Sequence, residues 1–338
     1  MGRLEEDEQR FVIARAPLRI SLAGGGTDVL SYARRWGGLV LGAAIDRYVG
    51  VAVYPREFHR RVRIATDTCV LCEHPSDHLD PMIGACLAEV GTDQGLQFAT
   101  FGDAPSGRGL GGSGAFTVAA VHATGHGEGL SAAELAERAS AIEISGLGRS
   151  VGKQDHYLAA YGGLRVLHFP PDGHTVVETP SFEPGVVAEL EHRLLLFDSG
   201  TARDAGEVLA EQNLGTIRGD AAVISHLHGI RRIATEAIDC LNRGDVAAIG
   251  ELIAEHWSLK AKLGARVSTA RAEQLLRTAQ DAGGGGGKLL GSGGGGFLLI
   301  YCEPAHHQEL RRAMAEAGST ELTFRFTTSG SQVAELPL

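Results

Sequence analysis

Three glycine-rich segments constrain this chain more than any other feature: AGGGTD at 23–28, SGRGLGGSG at 106–114 and GGGGGKLLGSGGGG at 283–296. Glycine supplies 47 of 338 residues, roughly twice its usual share. There is nevertheless no Gly-X-Y period, proline numbers only 11, and hydrophobic residues make up 43%. Collagen-like and disordered chains are thereby excluded, and the glycines must serve local purposes. The length suggests about two domains, either of which can bury a core.

The first segment follows an apolar stretch, FVIARAPLRISL at 11–22, whose Pro17 predicts an edge or bulged strand. Thr27 and Asp28 then offer an N-cap for a helix over VLSYARRW. LVLGAAI, YVGVAVYP and RRVRIATDTCVL read as successive strands with turns between them, and IGACLAEVG as a short helix. The second glycine segment joins the strand LQFATFGDAP to a small-residue helix. Ser131 and Glu134 have capping-box spacing for the helix after it. Strands return between 162 and 200, charged helices fill 204–282, and FLLIYCEP, AHHQELRRAMAEAG and LTFRFTTSG close the chain as a split βαβ arrangement.

A net charge of −10 and a pI near 5.8 argue against nucleic-acid or anionic-membrane partners, which need a basic patch. Five irregularly spaced cysteines do not make a disulfide framework, and a reducing compartment suits them better. The acidic start, MGRLEEDEQR, does not read as a signal peptide, and no run of about 20 apolar residues occurs. A soluble cytoplasmic protein is expected. Cys69 and Cys72 with nearby histidines superficially suggest zinc, but on a strand the two thiols would face opposite ways.

A strand, a glycine loop and then a helix N-terminus make a phosphate cradle, because free N–H groups and the positive end of the helix dipole face the ligand. In the second segment Gly107, Gly109 and Gly112 satisfy GxGxxG, so a dinucleotide-binding fold is an alternative. Against it, no strand bearing an acidic residue follows about 20 positions on. A Walker A loop is excluded, since Lys288 precedes Leu289 rather than Ser or Thr.

Taken in order, APLRISLAGGGTD (16–28), PSGRGLGGSGA (105–115) and GGKLLGSGGGGF (286–297) resemble the three motifs of the GHMP small-molecule kinases, over roughly residues 11–335. AIDRYV (44–49), VGKQDHYLAAYGGL (151–164), LLLFDSGTARDAGEVL (194–209) and HWSLKAKL (256–263) are similar to its sugar-1-kinase branch acting on D-glycero-D-manno-heptose 7-phosphate. Fucokinases and glucuronokinases lie near that branch. Galactokinases, with a GEHTDY-type first motif, lie farther away.

The resemblance implies a two-domain α+β fold with the active site in the interdomain cleft. The N-terminal domain would span 11–185. The C-terminal domain, ferredoxin-like and carrying the third motif, would span 186–338. ATP and Mg²⁺ are the implied cofactors, a sugar phosphate the partner, and a homodimer is admitted. The implied reaction is phosphorylation of the anomeric hydroxyl to give the 1,7-bisphosphate. A related sugar-1-kinase and a non-catalytic sugar-phosphate-binding regulator are the alternatives.

By the same resemblance, Asp155 would take or orient the hydroxyl proton, and Arg19 and Asp28 would contact the sugar and hold that aspartate. Ser113 and Glu143 would ligate Mg²⁺. Pro105, Gly107, Arg108, Gly109, Leu110, Gly111, Gly112, Ser113 and Gly114 would cradle the nucleotide. Gly24, Gly25, Gly26 and Thr27 would admit the substrate, with further contacts from Asp46, Lys153, Arg203 and Gly294, and Lys288 as another candidate. Two departures stand out: Gly112 replaces a customary serine, and Arg108 stands where a small residue is common, free to meet phosphate or face water.

Overall fold

A computed structural model describes residues 10–56, 58–78, 80–89, 95–102, 107–201 and 205–337. Pro105 and Arg203 lie outside the described residues. Strand β1 (Arg10–Ala23) pairs along its length with β2 (Gly38–Pro55), and α1 (Leu30–Trp36) lies between them in sequence. Β-branched and aliphatic alternation makes both strands, but β2 is one 18-residue strand, not the expected two with a turn. Its first half pairs with β6 (Leu164–Phe169) and its second half with β5 (Leu96–Gly102), so the sheet forks along it. Pro17 marks a register shift, as a bulge requires, yet β1 is interior, flanked by β2 and the last strand.

Strands β3 (Val62–Ala65), β4 (Cys69–Cys72) and β7 (Val176–Glu178) complete this sheet with β11 (Gln332–Pro337). The helices α2 (Pro81–Glu89), α3 (Gly112–Thr124), α4 (Ala132–Ala141) and α5 (Gln154–Tyr161) belong to the same lobe, α3 and α5 packing on β1 and β2. The Ser131–Glu134 capping box forms as read. The cap expected from Thr27 and Asp28 does not: Val29 precedes α1 without a side-chain bond, because both side chains are used elsewhere.

Helix α6 (Pro184–Arg193), which the sequence reading missed, leads into β8 (Leu194–Asp198). Four helices follow: α7 (Ala205–Arg218), α8 (Ala221–Asn242), α9 (Ala248–Lys260) and α10 (Ala270–Asp281). Strands β9 (Gly284–Leu289) and β10 (Phe297–Cys302) and helix α11 (His307–Glu316) complete the second lobe, whose sheet has the order β8-β10-β9. The expected closing strand over LTFRFTTSG is reduced to isolated backbone bonds: its second half meets β2, Asp46 N donating to Arg325 O at 2.9 Å and Thr327 N to Ala44 O at 3.1 Å, and its start meets β8, Leu322 N donating to Leu196 O at 2.9 Å. The contact with β8 stands at the fourth place of a ferredoxin-like order.

The chain then recrosses, and β11 joins β1. A second domain running unbroken over 186–338 is therefore corrected: residues 332–337 belong to the first sheet. The larger core cluster also runs through both lobes, from Val12 and Phe98 to Leu241 and Leu299.

The glycine run at 283–287 has a packing explanation. A Cβ on Gly286 would lie 1.9 Å from the carbonyl oxygen of Gly250, in the first turn of α9, and one on Gly287 would lie 2.6 Å from Ile300 and 2.7 Å from Leu276 of α10. Side chains there would hold the helices off the strand. Among the described residues, no helix is long and apolar enough to cross a membrane, and no cluster of three or more His, Cys, Asp or Glu residues is placed to hold a metal ion.

Candidate active site

The glycine loops meet. A Cβ on Gly109, where φ is +84°, would lie 2.6 Å from Leu290 O, and Phe297 N donates to Arg108 O at 2.9 Å. Together with the first loop they wall a cleft of about 1180 Å³. A smaller cavity of about 310 Å³ beside α6 and α11 contains none of these loops.

Helix α3 opens at Gly112 after a left-handed Gly111 and has no side-chain cap, so its first N–H groups are free for an anion. Ser113, in that first turn, donates to Glu143 Oε1 at 2.6 Å. Glu143 sits in a π-helical turn, Ile142–Gly146, that widens the end of α4. Thr117 Oγ1 at 3.2 Å and His156 Nε2 at 3.1 Å also meet Oε1, and Arg149 lies 3.7 Å from Oε2. Glu143 is only 1% exposed. Burial raises its pKa, but His156, Ser113 and Arg149 outweigh this and hold it below the usual value.

Next to His156 stands Asp155, in the first turn of α5, where a carboxylate is favoured by the helix dipole. Arg19 grips its Oδ1 from Nε at 2.7 Å and Nη2 at 2.6 Å, and donates from Nη1 to Gly109 O at 2.6 Å. One buried guanidinium therefore fixes the carboxylate to the phosphate loop. Asp28 accepts from Gly26 N at 3.0 Å and from the backbone N and Nε2 of Gln154 at 3.1 and 3.0 Å, tying the first loop to the helix that carries Asp155. Burial raises the Asp28 pKa, with Asp155 adding to it against the bonds from Gln154 and Gly26.

Beside this pair are two buried lysines. Lys260, at the end of α9, donates to Gly291 O, and Lys288 of β9 donates to Leu22 O at 2.9 Å. Burial and Arg19 push Lys260 down to about 8, against the pull of Asp28 and Asp155. Burial, then Lys260 and Arg19, push Lys288 well below its ordinary value. His256, one turn before Lys260, is buried with neither ring nitrogen hydrogen-bonded.

The cleft thus gathers Arg19, Gly25, Gly26, Asp28, residues 107–114, Glu143, Asp155 and Lys288 from the sequence-based set. Others are directed elsewhere. Thr27 pins the first loop from behind through Gly24 O and Leu39, and Gly24 is on that inner side too. Asp46 lies within β2, not in a turn, and accepts from Arg325 N at 2.8 Å. Lys153 turns to Glu137 at 2.8 Å. Gly294 bonds Val267 O at 2.7 Å, while Gly293 and Gly295 line the cleft. Arg108 is partly exposed but does not stand free: it pairs with Asp198 of the second lobe at 2.9 and 3.2 Å. A Cβ on Gly112 would meet only Leu18 Cδ2, at 4.0 Å, so the missing hydroxyl has no steric reason.

His156, Arg149, Gln154 and Lys260 escaped the sequence reading as functional residues. His156 and Gln154 had a signal, since they flank Asp155. Lys260 had one in the glycine run that seats its helix.

The chain matches the GHMP kinases N terminal domain over residues 78–163 and the GHMP kinases C terminal domain over 237–320. It is 29% identical, over 95% of its length and 98% of the relative's, to D-glycero-alpha-D-manno-heptose 7-phosphate kinase of Campylobacter jejuni. It is 26% identical over 89% of its length to the bifunctional fucokinase/GDP-fucose pyrophosphorylase of Arabidopsis thaliana, covering 31% of that protein. A D-glycero-D-manno-heptose 1-phosphate kinase from Bacteriodes thetaiotaomicron superposes with a TM-score of 0.78 at 26% identity, over 96% of this chain and 99% of that one. Mevalonate kinase from Methanococcus jannaschii, at 17% identity and a TM-score of 0.71 over 96% and 99% of the chains, shares the fold. With both family domains matched and the motif loops converging on one cleft, the chain belongs to the GHMP kinase family.

Proposed function

We propose that this ATP-dependent sugar kinase transfers the γ-phosphoryl group of ATP to the anomeric hydroxyl of D-glycero-D-manno-heptose 7-phosphate, giving the 1,7-bisphosphate. The observation that carries the reading is the pair of neighbouring sites at the α3 N-terminus: Asp155 held by Arg19, and Ser113 joined to Glu143. The similarity to heptose kinases over nearly the whole chain supports the substrate.

The donor set fits Mg²⁺, a hard cation that takes one or two protein oxygens plus phosphates and water. Ser113 Oγ and the Glu143 carboxylate would hold it. When bound, Mg²⁺ neutralises charge on the phosphate oxygens. The α3 N-terminus and the 107–112 loop bind those oxygens through N–H groups. Asp155, its Oδ1 immobilised by Arg19, orients the acceptor hydroxyl and takes its proton as the new O–P bond forms and the bond to ADP breaks. Gly25, Gly26, Ser21 and Gln154 face the sugar. Ser21 Oγ and Gln154 Oε1 are buried without partners, as groups awaiting hydroxyls are.

The test is ADP release against heptose 7-phosphate, fucose, glucuronate, mannose and galactose, with Asp155→Asn beside the wild type. The heptose phosphate should give the highest kcat/KM, and the variant should lose roughly 10²- to 10⁴-fold in kcat while nucleotide affinity holds. Preference for an unphosphorylated sugar would overturn the substrate. Normal turnover in the variant would overturn the mechanism.

A further inference from the structure

The mechanism just given leaves a buried cation idle. Lys260 is 7% exposed, and among the described residues its only hydrogen bond is to a backbone carbonyl, Gly291 O. Among the described residues it forms no ion pair. The groups that face it are Arg19 from β1, Asp28 from the first loop, Asp155 from α5, Lys288 from β9 and His256 from its own helix. Both carboxylates have other donors, Arg19 for Asp155 and Gln154 with Gly26 for Asp28. Three basic side chains, Arg19, Lys260 and Lys288, thus stand beside two carboxylates that already have donors, and burying an ammonium without a partner of its own is costly unless an anion completes it.

The fold places this ammonium deliberately. Gly250, Ile253, His256, Trp257 and Lys260 share the buried face of α9, and the side-chain-free strand at 284–287 lets that face approach β9 at backbone distance. Lys260 thereby reaches Gly291. A Cβ on Gly291 would lie 2.6 Å from Gly109 Cα of the phosphate loop, so the two loops touch where the ammonium sits. It lines the cleft beside that loop with Asp155 among the charges that act on it, so it stands near the path of a phosphoryl group bound for a hydroxyl held by the aspartate.

We propose that Lys260 is a further catalytic residue, whose ammonium binds the non-bridging oxygens of the phosphoryl group in transfer from nucleotide to acceptor. This rests on the kinase reading above. The acceptor oxygen bonds to phosphorus, the bond to the ADP oxygen breaks and its electron pair leaves with ADP, the hydroxyl proton passes to Asp155, and Lys260 keeps its proton throughout. Its charge cancels the negative charge spread over the equatorial oxygens.

Because the free ammonium titrates near 8, an anion at this point must draw a proton onto it. Calorimetric titration of the full chain with a non-hydrolysable ATP analogue and Mg²⁺, at about pH 8 in buffers of different ionisation enthalpy, should show uptake of about half a proton. Lys260→Met should abolish the uptake and lower kcat by roughly 10²- to 10³-fold at unchanged nucleotide KM. Lys260→Arg, always charged, should also take up no proton yet retain most of kcat. Uptake that persists in Lys260→Met, a kcat for that variant within threefold of wild type, or uptake elicited by sugar phosphate alone would each overturn the proposal. Failure of the wild type to bind the nucleotide analogue would instead overturn the kinase reading.

Discussion

Two buried charges of opposite sign line the cleft, and the protein treats them differently. Glu143 is surrounded by its own donors, from Ser113, Thr117 and His156, with Arg149 nearby. Lys260 has a single carbonyl, and the two carboxylates near it, Asp28 and Asp155, are bonded to other donors while Arg19 opposes its charge. The titration directions record the contrast: the carboxyl is held below its ordinary value, so the fold favours its charge, and the ammonium is also pushed down, so the fold disfavours its charge. The acidic corner already holds its own hydrogen-bond donors; on the proposal above, the basic corner takes its counter-charge from the ligand.

The largest test of that contrast is a pair of near-isosteric neutralisations with opposite signs. Glu143→Gln should destabilise the ligand-free protein by on the order of 2–3 kcal/mol, because three charge-assisted bonds become neutral ones. Lys260→Met should stabilise it by up to about 3 kcal/mol, the free-energy equivalent of a fall from 10.5 to about 8. Their pH dependence separates them further. Glu143's contribution is present above the unfolded carboxyl value and is lost as pH falls through the lower folded one, so that gap closes in acid. For Lys260 the unfolded chain binds the extra proton between about 8 and 10.5, so wild-type stability rises across that window and the advantage of the Met variant shrinks. Urea unfolding at stepped pH measures both. Destabilisation by Lys260→Met at pH 7 would break the contrast.

A second test acts on the seam that delivers the ammonium. Gly286→Ala places a methyl against Gly250 O and should cost about 1–3 kcal/mol by overpacking. Gly185→Ala, in the first turn of α6 with nothing within 4 Å of the new methyl, serves as the control and should leave the midpoint unchanged. If Lys260 acts where the fold places it, Gly286→Ala also lowers kcat well below the midpoint at which it unfolds. Thermal denaturation beside initial rates reads the two effects apart.

Much of the site was legible because its motifs are local. Ser113 and Asp155 each sit in the first turn of a helix, and a glycine loop before a helix is a short-range pattern. The partners that tune them come from far along the chain: Arg19 reaches across 136 residues to Asp155, and Glu143 is carried by a π-turn that no periodicity announces. The resemblance also implied substrate contacts for Asp46 and Lys153, and each is instead held by a tertiary partner, Arg325 or Glu137. In the fold, LTFRFTTSG alternates like a strand, yet only its start reaches β8 and its second half bonds β2, a tertiary division that local alternation does not reveal. The glycine run was visible from the start, but its meaning required seeing which helix packs against it.

The smallest effect belongs to the ion pair that spans the lobes above both corners. Arg108 and Asp198 are each partly exposed, at 22% and 27% of their side chains, and such pairs contribute roughly 0.2–1 kcal/mol. Arg108→Ala should therefore shift stability by less than about 1 kcal/mol, and the shift should fade as salt rises, since screening acts on exposed pairs and spares the buried corners. The same variant decides what the arginine does when nucleotide is present. Asp198 Oδ1 also accepts from Gly200 N at 3.0 Å, so the aspartate keeps a partner if the guanidinium leaves. A nucleotide dissociation constant within about threefold of wild type means the pair stays closed and only joins the lobes. A rise of tenfold or more means Arg108 releases Asp198 to take a phosphate, an exchange the carboxylate can accommodate because its other bond remains.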